Sequence, residues 1–349
     1  MNDIAKIVAE HGDLLRILMI SAITFVSAML LTPFWTYVLY KYKFWKKPRE
    51  QALYGGEATV FKQLHGQKHK RNIPTMAGPL VWGVVAAVTL IFNLTRSQTY
   101  LPLFSIVTVG ILGAVDDWFN IRGIGGIKGI RARHKTIWLF VIAVLGAWWF
   151  YSKLGMDSLH IPAWGDLLIG WWYIPLFIFI ILAVTNAVNI TDGLDGLSGG
   201  LLAIAFTAYG LLAFLNDQVS LAIFCATVTG ALVAYLWFNI YPARFFGGDT
   251  YALSMGATLA VVAMLIRSNV GIAVLPFIAF VPMVETLSVI MQLLWRKLFK
   301  RKLFLIAPLH HHFEAMGWPE TKVTMRFWIV GALMAVLGVI IGIVGAGPV

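Results

Sequence analysis

The strongest constraint on this chain is the recurrence of apolar runs long enough to cross a lipid bilayer. A spanning helix needs about 20 mostly apolar residues, and ten stretches of the sequence qualify or nearly qualify. They run roughly 14–40, 76–94, 99–115, 136–152, 171–189, 197–215, 219–238, 251–266, 270–294 and 326–346. Only 12% of the residues are charged, against about 25% in an average soluble domain. The expected fold is therefore all-α: a polytopic membrane protein of ten transmembrane helices, forming a single membrane domain over residues 1–349. The first run, Leu14 to Tyr40, is too long for a signal-peptide core and lacks a small-residue cleavage site, so it is expected to remain as the first span. The single cysteine, Cys225, lies in an apolar stretch, which excludes an intrachain disulfide.

Orientation follows from the basic residues. All but five of the 27 Lys and Arg fall in the loops after the odd-numbered spans or, as Arg326 does, at their edge; the five are Lys6, Arg16, Arg96, Lys153 and Arg267. Short loops rich in Lys and Arg stay in the cytoplasm, so both termini are expected outside. The net charge of +11 is thus explained by topology and by anionic lipid head groups. Nucleic acid is not an expected partner; membrane lipid is.

This topology puts the polar clusters on one face. Asp116, Asp117, Asn186, Asn189, Asp192, Asp195, Asn239, Asp249 and His310 to His312 all fall at cytoplasmic span ends or in cytoplasmic loops. Five aspartates at mid-bilayer would cost roughly 12 kcal/mol even on the lenient insertion scale. They are expected instead to line a cleft that opens to the cytoplasm.

Each cluster has a plain reading beside a chemical one. In "VDDWFN", residues 115–120, two adjacent carboxylates are either solvated helix-end acids or a pair that shares a cation or proton. In "NAVNITDGLDGLSGG", Gly193 and Gly196 imply a break that leaves the Asn pair on a helix end and the Asp pair on a turn. Capping by Asp192 and Asp195 accounts for the acids but not for Asn186 and Asn189. "WFNIYPARFFGGDT" repeats the arrangement: Asn239 at a span end, a turn, then Gly247, Gly248 and Asp249, where bare backbone can approach a phosphate beside a metal-binding carboxylate. "APLHHHFE" offers three imidazoles after Ala307, yet no cysteine accompanies them and the nearby acids are hard oxygen ligands that suit magnesium better than zinc. Phosphate contact or proton transfer fits them. Lys70 and Lys135 stand at the feet of spans two and four, residues 294–304 interleave basic and apolar residues as an interfacial segment does, and Glu285 is an intramembrane carboxylate. Together, oxygen ligands, Gly-rich turns, lysines and histidines on one face describe a site for a diphosphate substrate.

The strings "PTMAG", "DD", "NAVNITDGLDGL", "WFNIYPA", "GGD", "VETLSVI" and "APLHHHFEAMGWPE" resemble, in order, the signatures of the polyprenyl-phosphate N-acetylhexosamine phosphotransferases, over about residues 60–330. The resemblance implies ten spans with both termini outside, an inner (cytoplasmic) membrane location and a homodimer. It further implies magnesium-dependent transfer of phospho-MurNAc-pentapeptide from UDP-MurNAc-pentapeptide to undecaprenyl phosphate, giving lipid I and UMP. By the same resemblance Asp116 and Asp117 handle the lipid phosphate as base or nucleophile, and Asp249 binds the metal. Asn189, Asp192, Asp195, Asn239, Phe246, Gly248 and Gln292 surround the uridine, with Phe246 stacking on uracil. Lys70, Thr75, Lys135, Asn186 and Ala307 join the substrate site, and His310, His311 and His312 match the histidine motif. Two strings depart from the family pattern. R-G-T-P-T-M-G-G is "RNIPTMAG" here, and F-M-G-D-x-G-S-L is "FGGDTYAL", so Tyr251 and Ala252 replace a Gly and a Ser.

Two other functions fit parts of the pattern. A GlcNAc-1-phosphate transferase would share the membrane face and the metal. An ion-coupled transporter would use Asp and Glu285 as relays, but such proteins bind near the midplane and often carry internal repeats, and no repeat is evident in this sequence.

Overall fold

The computed structural model describes residues 2–45, 72–123, 130, 132–162, 164–266 and 270–345. Twelve α-helices and one short hairpin make up these residues. The first helices are α1 (Asn2–Lys41), α2 (Gly78–Phe92), α3 (Tyr100–Arg122) and α4 (Ala132–Lys153). Strands β1 (Ser158–Ile161) and β2 (Gly165–Leu168) then pair antiparallel, Ser158 opposite Leu168 and Ile161 opposite Gly165. A 3-10 turn, Gly170–Trp172, leads into α5 (Tyr173–Thr191), followed by α6 (Leu197–Leu215), α7 (Val219–Asn239) and α8 (Asp249–Leu265). The chain closes with α9 (Val270–Ile278), α10 (Phe280–Phe299), the short α11 (Leu309–Ala315) and α12 (Glu320–Gly345).

The centre of the bundle is α8, in which every residue from Thr250 to Leu265 is buried. A helix that is apolar or small on all sides has no solvent face to keep. It packs against α2, α3 and α5. Small residues permit the approach: a Cβ on Gly256 would stand 2.8 Å from the Cα of Thr185 on α5. In lipid, where association gains little from hydrophobicity, such close backbone contact is the main source of helix pairing. The outer helices turn large side chains outward, among them Leu30, Ile91, Phe179, Trp237 and Leu333; lipid is the medium that suits them.

Among the described residues seven helices are long and apolar enough to cross a membrane, and an eighth candidate is the pair α9 and α10, bent by 69°. The protein is therefore multi-pass. Helices α2 and α8, expected to be spans, have 15 and 17 residues and fall short of that length. Three local expectations are corrected. The run 270–294 is not one continuous span but breaks at Ala279, between Pro276 inside α9 and Pro282 in the first turn of α10, because each proline removes a backbone donor and crowds the preceding turn. Helix α3 continues to Arg122, past the expected end of its span at 115, so Asp116 and Asp117 ride on its last turns. The hairpin after α4 adds a small β element to a fold expected to be all-α.

That hairpin sits at the end of the bundle where α12 finishes. His160 Nδ1 lies 2.7 Å from Asp166 Oδ1 and its Nε2 lies 2.6 Å from the Gly345 carbonyl. Both ring nitrogens face acceptors, so the imidazolium satisfies both contacts. Burial works against the charge, but the Gly345 carbonyl and Asp166 outweigh it and raise the pKa above the ordinary value. The contribution to stability is then full below about pH 6.5 and is lost as pH rises through the raised pKa. Amide exchange of residues 158–168 is expected to quicken between pH 6 and pH 9 relative to the intrinsic rate, and H160F is expected to remove that excess.

Candidate active site

The loop between α7 and α8 is built by side chains that bond its backbone. Asn239, buried at the end of α7, donates from Nδ2 to the Phe245 carbonyl at 2.9 Å and accepts the Gly196 amide at 3.1 Å. Asp195 accepts the Ala243 amide at 3.0 Å. The loop then pairs with the segment before α2: Phe246 donates to Pro74 O at 2.8 Å, Ala77 to Phe246 O at 3.0 Å, and Gly78 to Gly247 O at 3.1 Å. Gly248 follows with φ +79°, and a Cβ there would stand 2.3 Å from Asp117 Oδ2 and 2.8 Å from Thr75 Oγ1. Only glycine fits that position, on both conformational and steric grounds.

This places the first turn of α8 against α3. A Cβ on Gly113 would meet Thr250 Cα at 2.5 Å, so the two backbones touch. Thr250 ties the contact, donating from Oγ1 to Gly110 O at 2.8 Å and accepting from Trp82 Nε1 at 3.1 Å. Its amide donates to Asp117 Oδ2 at 3.1 Å. Asp117 thus sits on the N-terminus of α8, where a carboxylate is favoured. Asp116 accepts the Ile130 amide at 2.6 Å and the Lys135 ammonium at 2.7 Å, and the same ammonium bonds Asp249. One cation therefore serves two carboxylates. The Asp116 side chain is 5% exposed, whereas Lys135 and Asp249 are near 20%, so the group opens on the Lys135 and Asp249 side.

A second group lies across the α5–α6 turn. Glu285 on α10 faces His310 on α11, and His311 Nδ1 lies 2.7 Å from Glu314 Oε2. Asp192 accepts the Ser198 hydroxyl at 2.5 Å. Asp195 donates its own amide to Glu320 at 2.7 Å. His312 accepts the Leu305 amide at 3.2 Å, and Gln292 is committed to the same loop, bonding the backbone of Leu303 and Phe304. Phe246 and Asn189 are half-buried, as is Ala307 before Pro308.

Of the residues singled out from sequence, Thr75, Asp116, Asp117, Lys135, Gly248 and Asp249 are brought into one contact network. Asn239, Asp195 and Phe246 form the loop that supports it. Asn186 is exposed and its amide donates to Leu182 O on its own helix. Lys70 lies outside the described residues. Thr250, Ser198, Glu314 and Glu320 were missed. Glu314 had a legible signal, three residues after His311 and hence on the same helix face; Thr250 had none, since a threonine in an apolar run is ordinary.

Residues 99–267 match Glycosyl transferase family 4. Over 353 residues the chain is 36% identical to a phospho-N-acetylmuramoyl-pentapeptide-transferase of Chloroflexus aggregans, covering 96% of this chain and 92% of that protein. It is 37% identical over 326 residues to the protein of that name from Geobacillus sp. (strain WCH70), covering 91% of this chain and 95% of that protein. The chain belongs to the phospho-N-acetylmuramoyl-pentapeptide-transferase family. It is a membrane transferase.

The departure from the family string beside Asp249 has a physical account. Where the family pattern places Met and Gly, this chain has Gly247 and Tyr251. Tyr251 is fully buried, stacked on Tyr235 with centroids 4.7 Å apart, and a Cβ on Gly247 would stand 2.4 Å from its ring. Tyr251 thus fills the side of the turn that Gly247 leaves bare, next to Asp249.

This exchange predicts a reciprocal rescue. G247M alone overpacks the turn, at a cost of ~1–3 kcal/mol, and Y251G alone opens a cavity worth about 3–5 kcal/mol. The double variant G247M/Y251G is expected to recover most of the thermal stability in detergent that each single variant loses; additive losses would refute the exchange.

Proposed function

We propose that this chain transfers phospho-MurNAc-pentapeptide from UDP-MurNAc-pentapeptide to undecaprenyl phosphate, giving lipid I and UMP, in a magnesium-dependent reaction at the cytoplasmic face of the inner membrane. The reading also takes α2 and α8 as short spans completing ten, with both termini outside, and the active assembly as a homodimer. The observation that carries it is the Lys135 ammonium held between Asp116 and Asp249 on the open side of a glycine-walled turn. Transfer between two phosphates needs positioning and charge neutralisation more than covalent help from the protein, and this arrangement supplies both.

The donor set suits magnesium. Asp116 and Asp249 offer hard carboxylate oxygens that already share a cation. Magnesium bound by few carboxylates completes its shell with substrate phosphates and water. Asp249 would hold it, and the ion would offset charge on the departing UMP. The remaining work falls to the chain. Lys135 balances the carboxylates before substrate arrives and can turn to a phosphate oxygen afterwards. Gly248 lets backbone approach the diphosphate. Asp116, whose Oδ2 is released once Lys135 moves while the Ile130 amide still holds Oδ1, accepts the proton of the lipid phosphate. That phosphate oxygen then bonds the phosphorus attached to the sugar, and the bond from this phosphorus to the UMP oxygen breaks.

Purified protein given magnesium, UDP-MurNAc-pentapeptide and undecaprenyl phosphate is expected to release UMP, and UDP-GlcNAc is expected not to replace the donor. Release from UDP-GlcNAc alone would move the assignment to a GlcNAc-1-phosphate transferase. D249N is expected to lower turnover at least about 100-fold, the scale of losing one essential charge contact, while the variant still melts cooperatively as a folded protein. Substantial activity of D249N at saturating magnesium would sink Asp249 as the ligand.

A further inference from the structure

Glu285 was marked in the sequence as an intramembrane carboxylate, and the reaction outlined above leaves it without a task. Its side chain and that of His310 are each 1% exposed. Its Oε1 accepts the His310 amide at 3.1 Å, and its Oε2 stands 3.0 Å from His310 Nδ1. Two donors on one residue thus converge on one carboxylate, so Nδ1 carries a hydrogen. Nε2 of the same ring is buried and has no hydrogen-bond partner among the described residues. A buried polar atom left unpaired is costly unless it has a task. Nε2 lies against Gly193, where a Cβ would stand only 2.3 Å away. The turn carrying Asp192 therefore leaves its backbone bare where the imidazole points.

We propose that Glu285 is a positioning residue: by holding Nδ1–H of His310 it presents Nε2 at the Gly193 turn to a phosphate oxygen of the nucleoside diphosphate. The assignment of that ligand rests on the transferase reading. A phosphate oxygen accepts and does not donate, so docking requires a proton on Nε2. The imidazolium then formed is balanced by the carboxylate already at 3.0 Å. A carboxylate behind an imidazole commonly fixes ring, tautomer and basicity in this way. His311, its ring 4.1 Å from that of His310, is held by Glu314 through its own Nδ1 and supports the same orientation.

E285Q tests this without changing shape. Glutamine keeps one acceptor and gains an NH2, while the His310 amide can only donate. The acceptor goes to the amide, the NH2 meets Nδ1, and the imidazole takes the Nε2–H tautomer. The 15N spectrum of histidine-labelled protein at pH 8, with His310 assigned by difference from H310Q, is expected to show Nδ1–H in the wild type and Nε2–H in E285Q. The same tautomer in both would overturn the proposal. In E285Q the ring can donate from Nε2 only as a neutral imidazole, without the carboxylate that balances an imidazolium, and a neutral donor holds a phosphate oxygen less strongly than a charged one; kcat/KM is expected to fall about ten-fold or more, the scale of losing such a partner, with nothing further lost in an H310Q background. An equal loss in both backgrounds would show Glu285 acting independently of His310 and overturn it. No UMP release by the wild type would overturn the transferase reading instead; the spectrum needs no substrate and still judges Glu285.

Discussion

The structure turns on the sharing of one ammonium by two carboxylates at the edge of an apolar bundle. Burying an ionised carboxylate without a partner is prohibitive, and removing one member of a buried pair leaves a penalty of several kcal/mol. Asp116 and Asp249 come from helices far apart in sequence, and Lys135 from a third, so α3, α4 and α8 must end at one level for the charges to balance. A bundle with these helices displaced by a turn would strand two anions.

That level is set by absent side chains. Gly113 lets α3 touch the first turn of α8, Gly78 lets α2 do the same, and Gly248 lets Asp117 and Thr75 reach the turn. Thr250 then fastens the three helices with hydrogen bonds to α3 and from Trp82 of α2. The geometry of the candidate site is thus a consequence of backbone proximity: the same close approach that replaces hydrophobic driving force in lipid also brings the polar groups together.

Much of the site was legible before any fold was known. The acids and glycines at span ends were conspicuous because charge is rare in such a chain, and alternation of spans sent them all to one face. What escaped were residues whose importance is purely relational. Gln292, expected beside the uridine, also bonds the 303–304 backbone, which its place in the sequence does not show. Asn186 shares its spacing with Asn189, yet the helix turns it outward. Thr250 carries structural bonds that no linear pattern announces.

The sequence by itself determined the class of the molecule, since runs of apolar residues in lipid can satisfy their backbone only as helices, and it showed that the acids and histidines cluster at span ends. Tertiary structure alone decided the pairings: which carboxylates share Lys135, which imidazole faces Glu285, and why Gly247 accompanies Tyr251. Hydropathy is a property of each residue and is written in order along the chain. Charge balance and steric fit belong to pairs of residues, and distant partners meet only when the helices pack.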